Sequence, residues 1–140
     1  MTIAGVDFGR KRIGLAISDG RAAYPVGTIE RRSLKRDLVE IRSQLLARDV
    51  SLIVIGLPLN MDGTEGPSAR AARAFAEHLG AALGMAVEMY DERLTSFEAK
   101  ERLARSSASR KASKSSRDAV AAAIILEGWL ESRRPGEPVR

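Results

Sequence analysis

The sequence predicts a mixed α/β domain, one sheet whose first three strands are antiparallel and whose later strands are joined through helices. Three short apolar runs come first: "TIAGVDF" (2–8), "IGLAISD" (13–19) and "YPVGTIERR" (24–32). The links between them are short and carry Gly, as hairpins do. "SLIVIG" (51–56) is then apolar on successive residues and rich in β-branched side chains, the pattern of a strand buried on both faces. Helical spacing flanks it on both sides. The order β-β-β-α-β-α-β-α-α makes one mixed sheet with helices on its faces.

The elements follow in order. Leu34, Leu38, Ile41 and Leu45 recur at helical spacing behind Ser33, a good N-cap. "LPLNMDGTEG" (57–66) is a loop with turn residues, longer than the usual two to six of a strand-to-helix link. Pro67 suits the first turn of the next helix, whose inner face carries Phe75, Leu79 and Leu83. "MAVEMYDE" (85–92) reads as the last strand. Thr95 with Glu98 fits a capping box, so a helix is expected to start there. Residues 102–117 hold six Lys/Arg, six Ser and no acid, which predicts a mobile basic loop. "DAVAAAIILEGWLES" (118–132) is helical again, and 133–140 is expected to be a disordered tail. The whole reads as one domain over 1–132.

Composition narrows the function classes. With 44% hydrophobic residues the chain can bury a real core, and 23 Lys+Arg against 18 Asp+Glu favour a polyanionic partner. The absence of Cys excludes disulfides, thiolate chemistry and Cys-rich zinc sites. The start "MTIAGVDFG" is unlike a signal peptide and no apolar run is long enough to span a bilayer, so a cytoplasmic protein is expected, with no membrane partner. Six aromatic residues in the chain argue against an aromatic stacking platform for single strands.

Four acids sit where strands end or a helix begins: Asp7, Asp91, Glu92 and Asp118. Strand ends and helix starts can meet at one sheet edge, and acids gathered there would hold Mg²⁺ or Mn²⁺, because hard cations take oxygen ligands. Two such ions about 4 Å apart can activate water and stabilise the leaving oxygen of a phosphodiester. Each acid also has a purely structural reading. Asp7 can start a turn, Asp118 can compensate the helix dipole, and Asp91 and Glu92 point to opposite sides of a strand, leaving one free to pair with Arg93. Lys11 and Arg12 can meet a phosphate or form a solvated turn. Asn60 and the Pro67 helix start can face an anionic ligand or belong to an ordinary loop. The 102–117 stretch, with Arg110, Lys111 and Lys114, suits a phosphate backbone or a plain linker. His78, beside an apolar stripe, reads as a surface residue.

"DFGRKRIGLAISD", "GLPLNMDGTEGPSA", "YDERLTS" and "RDAVAAAIILEGWL", in that order, resemble the YqgF/RuvX family over about residues 3–131. These proteins are described as Holliday-junction-resolvase-like and as nucleases that trim the precursor of small-subunit ribosomal RNA. The resemblance implies a ribonuclease H-like fold with a five-stranded mixed sheet and a divalent-metal phosphodiesterase site with two Mg²⁺ or Mn²⁺ ions. It implies that Asp7, Glu92 and Asp118 are catalytic metal ligands with Asp91 beside them, and that Lys11, Arg12, Asn60 and Arg93 serve the substrate phosphate or support the site. It implies processing of the 5′ end of pre-16S rRNA. One departure stands out. Better-known resolvases of this fold carry a glutamate at the end of the fourth strand, whereas here "GLPLN" has no acid before Asp62, so the second ligand would come from the neighbouring strand.

Three alternatives compete with that reading. A resolvase acting on branched DNA would need two active sites; a monomer or a weak homodimer is expected, and a monomer would speak for RNA trimming. A weakly catalytic module could bind RNA, the ribosome or a transcription partner. An actin-like or sugar-kinase ATPase shares the strand order, but the chain is too short for the two domains that clamp ATP.

Overall fold

The computed structural model describes residues 2–105 and 114–133. Five strands form one sheet in the order β3-β2-β1-β4-β5. They are β1 (Thr2–Phe8), β2 (Arg12–Ser18), β3 (Ala23–Glu30), β4 (Val50–Leu57) and β5 (Ala86–Asp91). β1–β2 and β2–β3 are antiparallel hairpins, while β4 pairs in parallel with both β1 and β5. Parallel neighbours need crossovers, and helices α1 (Leu34–Leu46) and α2 (Pro67–Leu83) supply them. A 3-10 turn (Glu92–Leu94), α3 (Phe97–Ala104) and α4 (Lys114–Glu131) complete the described chain.

The helix boundaries follow from local chemistry. The Ser33 side chain accepts the Arg36 N–H at the start of α1. Pro67 occupies the first turn of α2, where a missing N–H costs nothing, and Gly84 ends that helix in the left-handed conformation at φ 63°.

The alternation of side chains along each strand divides the core in two. Ala4, Val6, Ile13, Leu15, Ile53 and Ile55 pack with Ile41 and Leu45 of α1 and with Phe75 and Leu79 of α2. On the other face Ile3, Ala16 and Val54 pack with Val120, Ala122, Ile125, Leu126 and Trp129 of α4. β4 thus feeds both layers, as its unbroken apolar run predicted. The buried Glu127 carboxylate ties α4 to its surroundings, accepting from the Ala23 N–H and pairing with Arg102 of α3.

Three expectations change. The 102–117 stretch is helical at both ends, since α3 continues to Ala104 and α4 begins at Lys114; residues 106–113 lie outside the described residues. Asp118 consequently stands in the second turn of its helix rather than opening it. Helix α3 starts at Phe97 and not behind Thr95, with Ser96 O accepting the Lys100 N–H, because the 3-10 turn takes up Glu92–Leu94 and Thr95 is buried behind it. In the tail, Arg133 lies 4.5 Å over the Trp129 ring and pairs with Glu88, so the chain stays attached at least that far; 134–140 lie outside the described residues. Among the described residues no helix is long and apolar enough to cross a membrane.

Candidate active site

In open α/β sheets, ligands gather beyond the carboxyl ends of the parallel strands. Here that edge is formed by the ends of β1, β4 and β5, with α4 lying across the sheet. Three glycines bring the helix close. A Cβ on Gly5 of β1 would come within 2.9 Å of Ala122 O, and one on Gly14 of β2 within 2.0 Å of Asp118 O. A Cβ on Gly56 of β4 would meet Ile125 Cδ1 at 2.5 Å and Glu92 Cγ and Cδ at 3.0 Å. Gly14 is the register partner of Asp7, so the point where α4 touches the sheet also places Asp118 beside Asp7. Gly56 follows Ile55, the partner of Val6, so it stands level with Asp7 on the other side. Glu92 reaches over Gly56 from the turn after β5. Glu92 thus stands beside the end of β4, which carries no acid of its own before Asp62.

Asp7 stands between the other two acids electrostatically. Burial, then repulsion from Asp118, pushes the Asp7 carboxyl up to about 6. Burial, then repulsion from Asp7 and Asp91, pushes Glu92 up to about 7, with Lys100 opposing. Asp118 is met by Arg12, whose Nε donates to Asp118 Oδ2 at 2.8 Å, and Arg12 also approaches Glu30 at 3.7 Å. Asp91 turns away from this group. It accepts from the Arg93 backbone N–H and from the Arg93 guanidinium, which holds its carboxyl below the usual range. Of the two acids ending "YDE", Glu92 faces Asp7 and Asp91 faces Arg93.

The other candidates spread around this centre. Lys11 is exposed at the tip of the β1–β2 turn. Asn60 is absorbed by its own loop, donating to Thr64 Oγ1 and accepting from the Gly63 N–H. Arg93 spans from Asp91 to the carbonyls of Asn60 and Met61, fastening that loop to the end of β5. Lys114 begins α4, its side chain outside the described part, and Arg110 and Lys111 lie outside the described residues. The glycine seat was not among the candidates. Its signal was present, since a Gly inside a strand pattern marks close backbone approach.

Because Arg93 grips two carbonyls and a carboxylate with one planar fork, Lys cannot replace it. Arg93→Lys is expected to leave the melting temperature nearly unchanged while amide exchange across 60–64 accelerates. Unchanged exchange in that loop would show that Arg93 does not hold it.

The donor set fits a hard divalent cation. Asp7 and Glu92 offer carboxylate oxygens in a half-buried, mutually repulsive setting that a cation would relieve, and Asp118 adjoins them. Among the described residues no three such side chains already stand together as a ready cage, and Asp118 is held by Arg12 instead.

A family model described as "RuvX: Holliday junction resolvase" matches residues 1–132. A relative from Anaeromyxobacter dehalogenans (strain 2CP-1), carrying the curated name "Putative pre-16S rRNA nuclease", is 53% identical over 137 residues, 96% of this chain and all of the relative. One of the same name from Myxococcus xanthus is 44% identical over 96% of this chain and 91% of its own length. Among solved structures, RuvC of T. thermophilus in complex with a Holliday junction covers 95% of this chain and 96% of its own, with TM-score 0.64 and 16% identity. The fowlpox virus Holliday junction resolvase covers 96% of this chain and all of its own, with TM-score 0.58 and 12% identity. At such identities the likeness concerns the fold, which is the ribonuclease H-like one. The match over almost the whole sequence, together with the close relatives, places this chain in the RuvX family.

Proposed function

We propose that the chain is a divalent-metal-dependent nuclease that hydrolyses phosphodiester bonds, with the 5′ end of pre-16S rRNA as its substrate. The observation that carries this reading is that Asp7 has an acid from another element on either side, Asp118 beside Gly14 and Glu92 over Gly56. Such convergence costs stability, because like charges are brought together under partial burial, and a site is where that cost is tolerated. The preference for RNA rests on the names of relatives that match nearly the whole chain.

Mg²⁺ or Mn²⁺ would supply Lewis-acid polarisation of the phosphate and a more acidic attacking water. Asp7, Glu92 and Asp118 are the residues that would hold it. Asp7 and Glu92 carry protons up to about pH 6 and 7, so ion binding strengthens as pH rises through that range and those protons leave. Arg12 would orient the Asp118 carboxylate, to which its Nε donates, and Lys11, exposed at the β1–β2 turn, would meet the substrate backbone. The deciding experiment is cleavage of a labelled pre-16S rRNA end and of a four-way DNA junction, each with Mn²⁺ or Mg²⁺. Metal-dependent cuts in the RNA support the proposal. Preference for the junction would reassign the substrate, and no cleavage of either would remove the enzyme reading.

The Arg12–Asp118 pair also favours a second reading, a nucleic-acid binding module whose third acid is committed to a salt bridge. The two readings part at Arg12→Ala. In a nuclease it removes the group that orients a ligand, and cleavage should fall about 10–100-fold, the usual effect of losing such support. In a binding module metal-dependent cleavage is absent before and after the substitution, while salt-sensitive binding survives Asp7→Asn and Asp118→Asn together.

A further inference from the structure

Asp7 and Phe8 are consecutive on β1 and point to opposite faces. Asp7 faces α4, while Phe8 packs toward α1 and α2. Phe8 stacks on Phe75, with ring centroids 4.2 Å apart and planes 15° from parallel. The Arg31 guanidinium covers the other face of Phe8 at 4.4 Å from its centroid. Its Nη1 is fixed there by the carbonyls of Gly9 and Arg10, at 3.0 and 3.2 Å. The result is a three-layer stack ending in a planar cation, and Arg31 is exposed.

This stack lines a cleft of about 350 Å³ that also takes in Arg10, Arg32 and Asp37. Arg10 and Arg32 are exposed, and neither guanidinium has a carboxylate partner among the described residues. The one acid in the cleft, Asp37, is buried and accepts the backbone N–H of Arg32. Two unpaired cations thus stand beside a preorganised planar surface. That pairing suits a nucleotide: arginine planes stack on bases, and arginine forks match phosphate oxygens. The volume is at the small end for ligand sites and suits one such unit. The scarcity of aromatic residues is no obstacle, because the outer layer of the stack is a guanidinium.

We propose that this cleft is a subsite for one unpaired nucleotide of the substrate strand, its base against Arg31 and its phosphate between Arg10 and Arg32. The strand would pass around the sheet edge from the acids, the β1–β2 turn lying between the two positions. The proposal rests on the nuclease reading for the identity of the bound strand, but its test does not depend on cleavage.

The probe is a fluorescein-labelled single strand of about 12 nucleotides, within the usual length for such grooves, as RNA and as DNA. Binding to the full chain is followed by anisotropy in EDTA over a range of salt. Arg31→Lys keeps the charge and removes the plane, and is expected to weaken binding about tenfold with the salt dependence unchanged. The double variant Arg10→Ala/Arg32→Ala touches none of the bonds that hold the turn. It is expected to weaken binding and to flatten the slope of log affinity against log salt by about 0.7 or more, one phosphate contact's share on a single strand. Binding by both variants equal to that of the unaltered protein overturns the subsite. The same variants then separate the two proposals. Metal-dependent cleavage that survives the double substitution with unchanged kcat/KM sinks the subsite and leaves the nuclease. Weakened binding in a protein that never cleaves sinks the nuclease and leaves the subsite.

Discussion

Asp7→Asn is expected to abolish cleavage and to make the protein more stable at pH 8. The two effects share one cause. The Asp7 carboxyl is pushed from 3.8 to about 6 by burial and by Asp118, so the folded state resists its ionisation. Between pH 3.8 and 6 the native protein binds more protons at this site than the unfolded chain does, and stability falls as pH rises. Above pH 6 the whole disadvantage is present, about 3 kcal/mol for a shift of this size. Asn carries no charge and escapes it. In EDTA at pH 8 the variant should melt several degrees higher than the unaltered protein, and near pH 4 the gain should vanish. Glu92, pushed from 4.5 to about 7, extends the same trend upward. The ion-free protein should therefore lose stability steadily from about pH 4.5 to 7, and Mn²⁺ should return more of it at the upper end. Cleavage by the variant should fall by more than 100-fold, beyond what the loss of a mere supporting partner produces. A variant that melts lower at pH 8 and still cleaves would mark Asp7 as an ordinary turn residue.

The succession of strands and helices was readable because each hairpin and each crossover leaves a local mark. Gly-bearing links separate the first three runs, and the unbroken apolar "SLIVIG" marks a strand covered on both faces. The site was readable only as a set of candidates. Whether Asp91 or Glu92 faces Asp7 depends on the chain leaving β5 at Asp91 and entering a 3-10 turn, a boundary that alternation along a strand cannot locate. The partner of Arg12 lies 106 residues away, so no local pattern links them. Asp118 could be taken for the first residue of its helix because the Ser- and Lys-rich residues before it carry no apolar stripe, yet α4 begins at Lys114. Gly14 and Gly56 read as weak strand residues in isolation. Their meaning is set by a helix that folds back from the far end of the chain.

That meaning makes Gly14→Ala the most damaging small substitution to expect on the sheet. An added Cβ would lie 2.0 Å from Asp118 O and 2.6 Å from its carbonyl carbon, both backbone atoms. No rotamer change relieves such a clash, so either β2 or α4 must move. Forcing one methyl into a packed interior typically costs about 1–3 kcal/mol, and a rigid backbone neighbour places this case at or above the upper end. The displacement would carry Asp118 away from Asp7, because the same contact sets both. Gly27→Ala provides the control. It lies in the adjoining strand β3, with nothing within 4 Å of its added Cβ. There Ala relieves the entropic penalty of a strand glycine and should be neutral or stabilising by about 0.5–1 kcal/mol. Thermal melts and cleavage assays on the two variants test the seat directly. Gly14→Ala should melt well below Gly27→Ala and lose most of its cleavage. Equal melting and equal cleavage would mean that α4 can slide on the sheet without disturbing the acids, and that the glycines do not position the site.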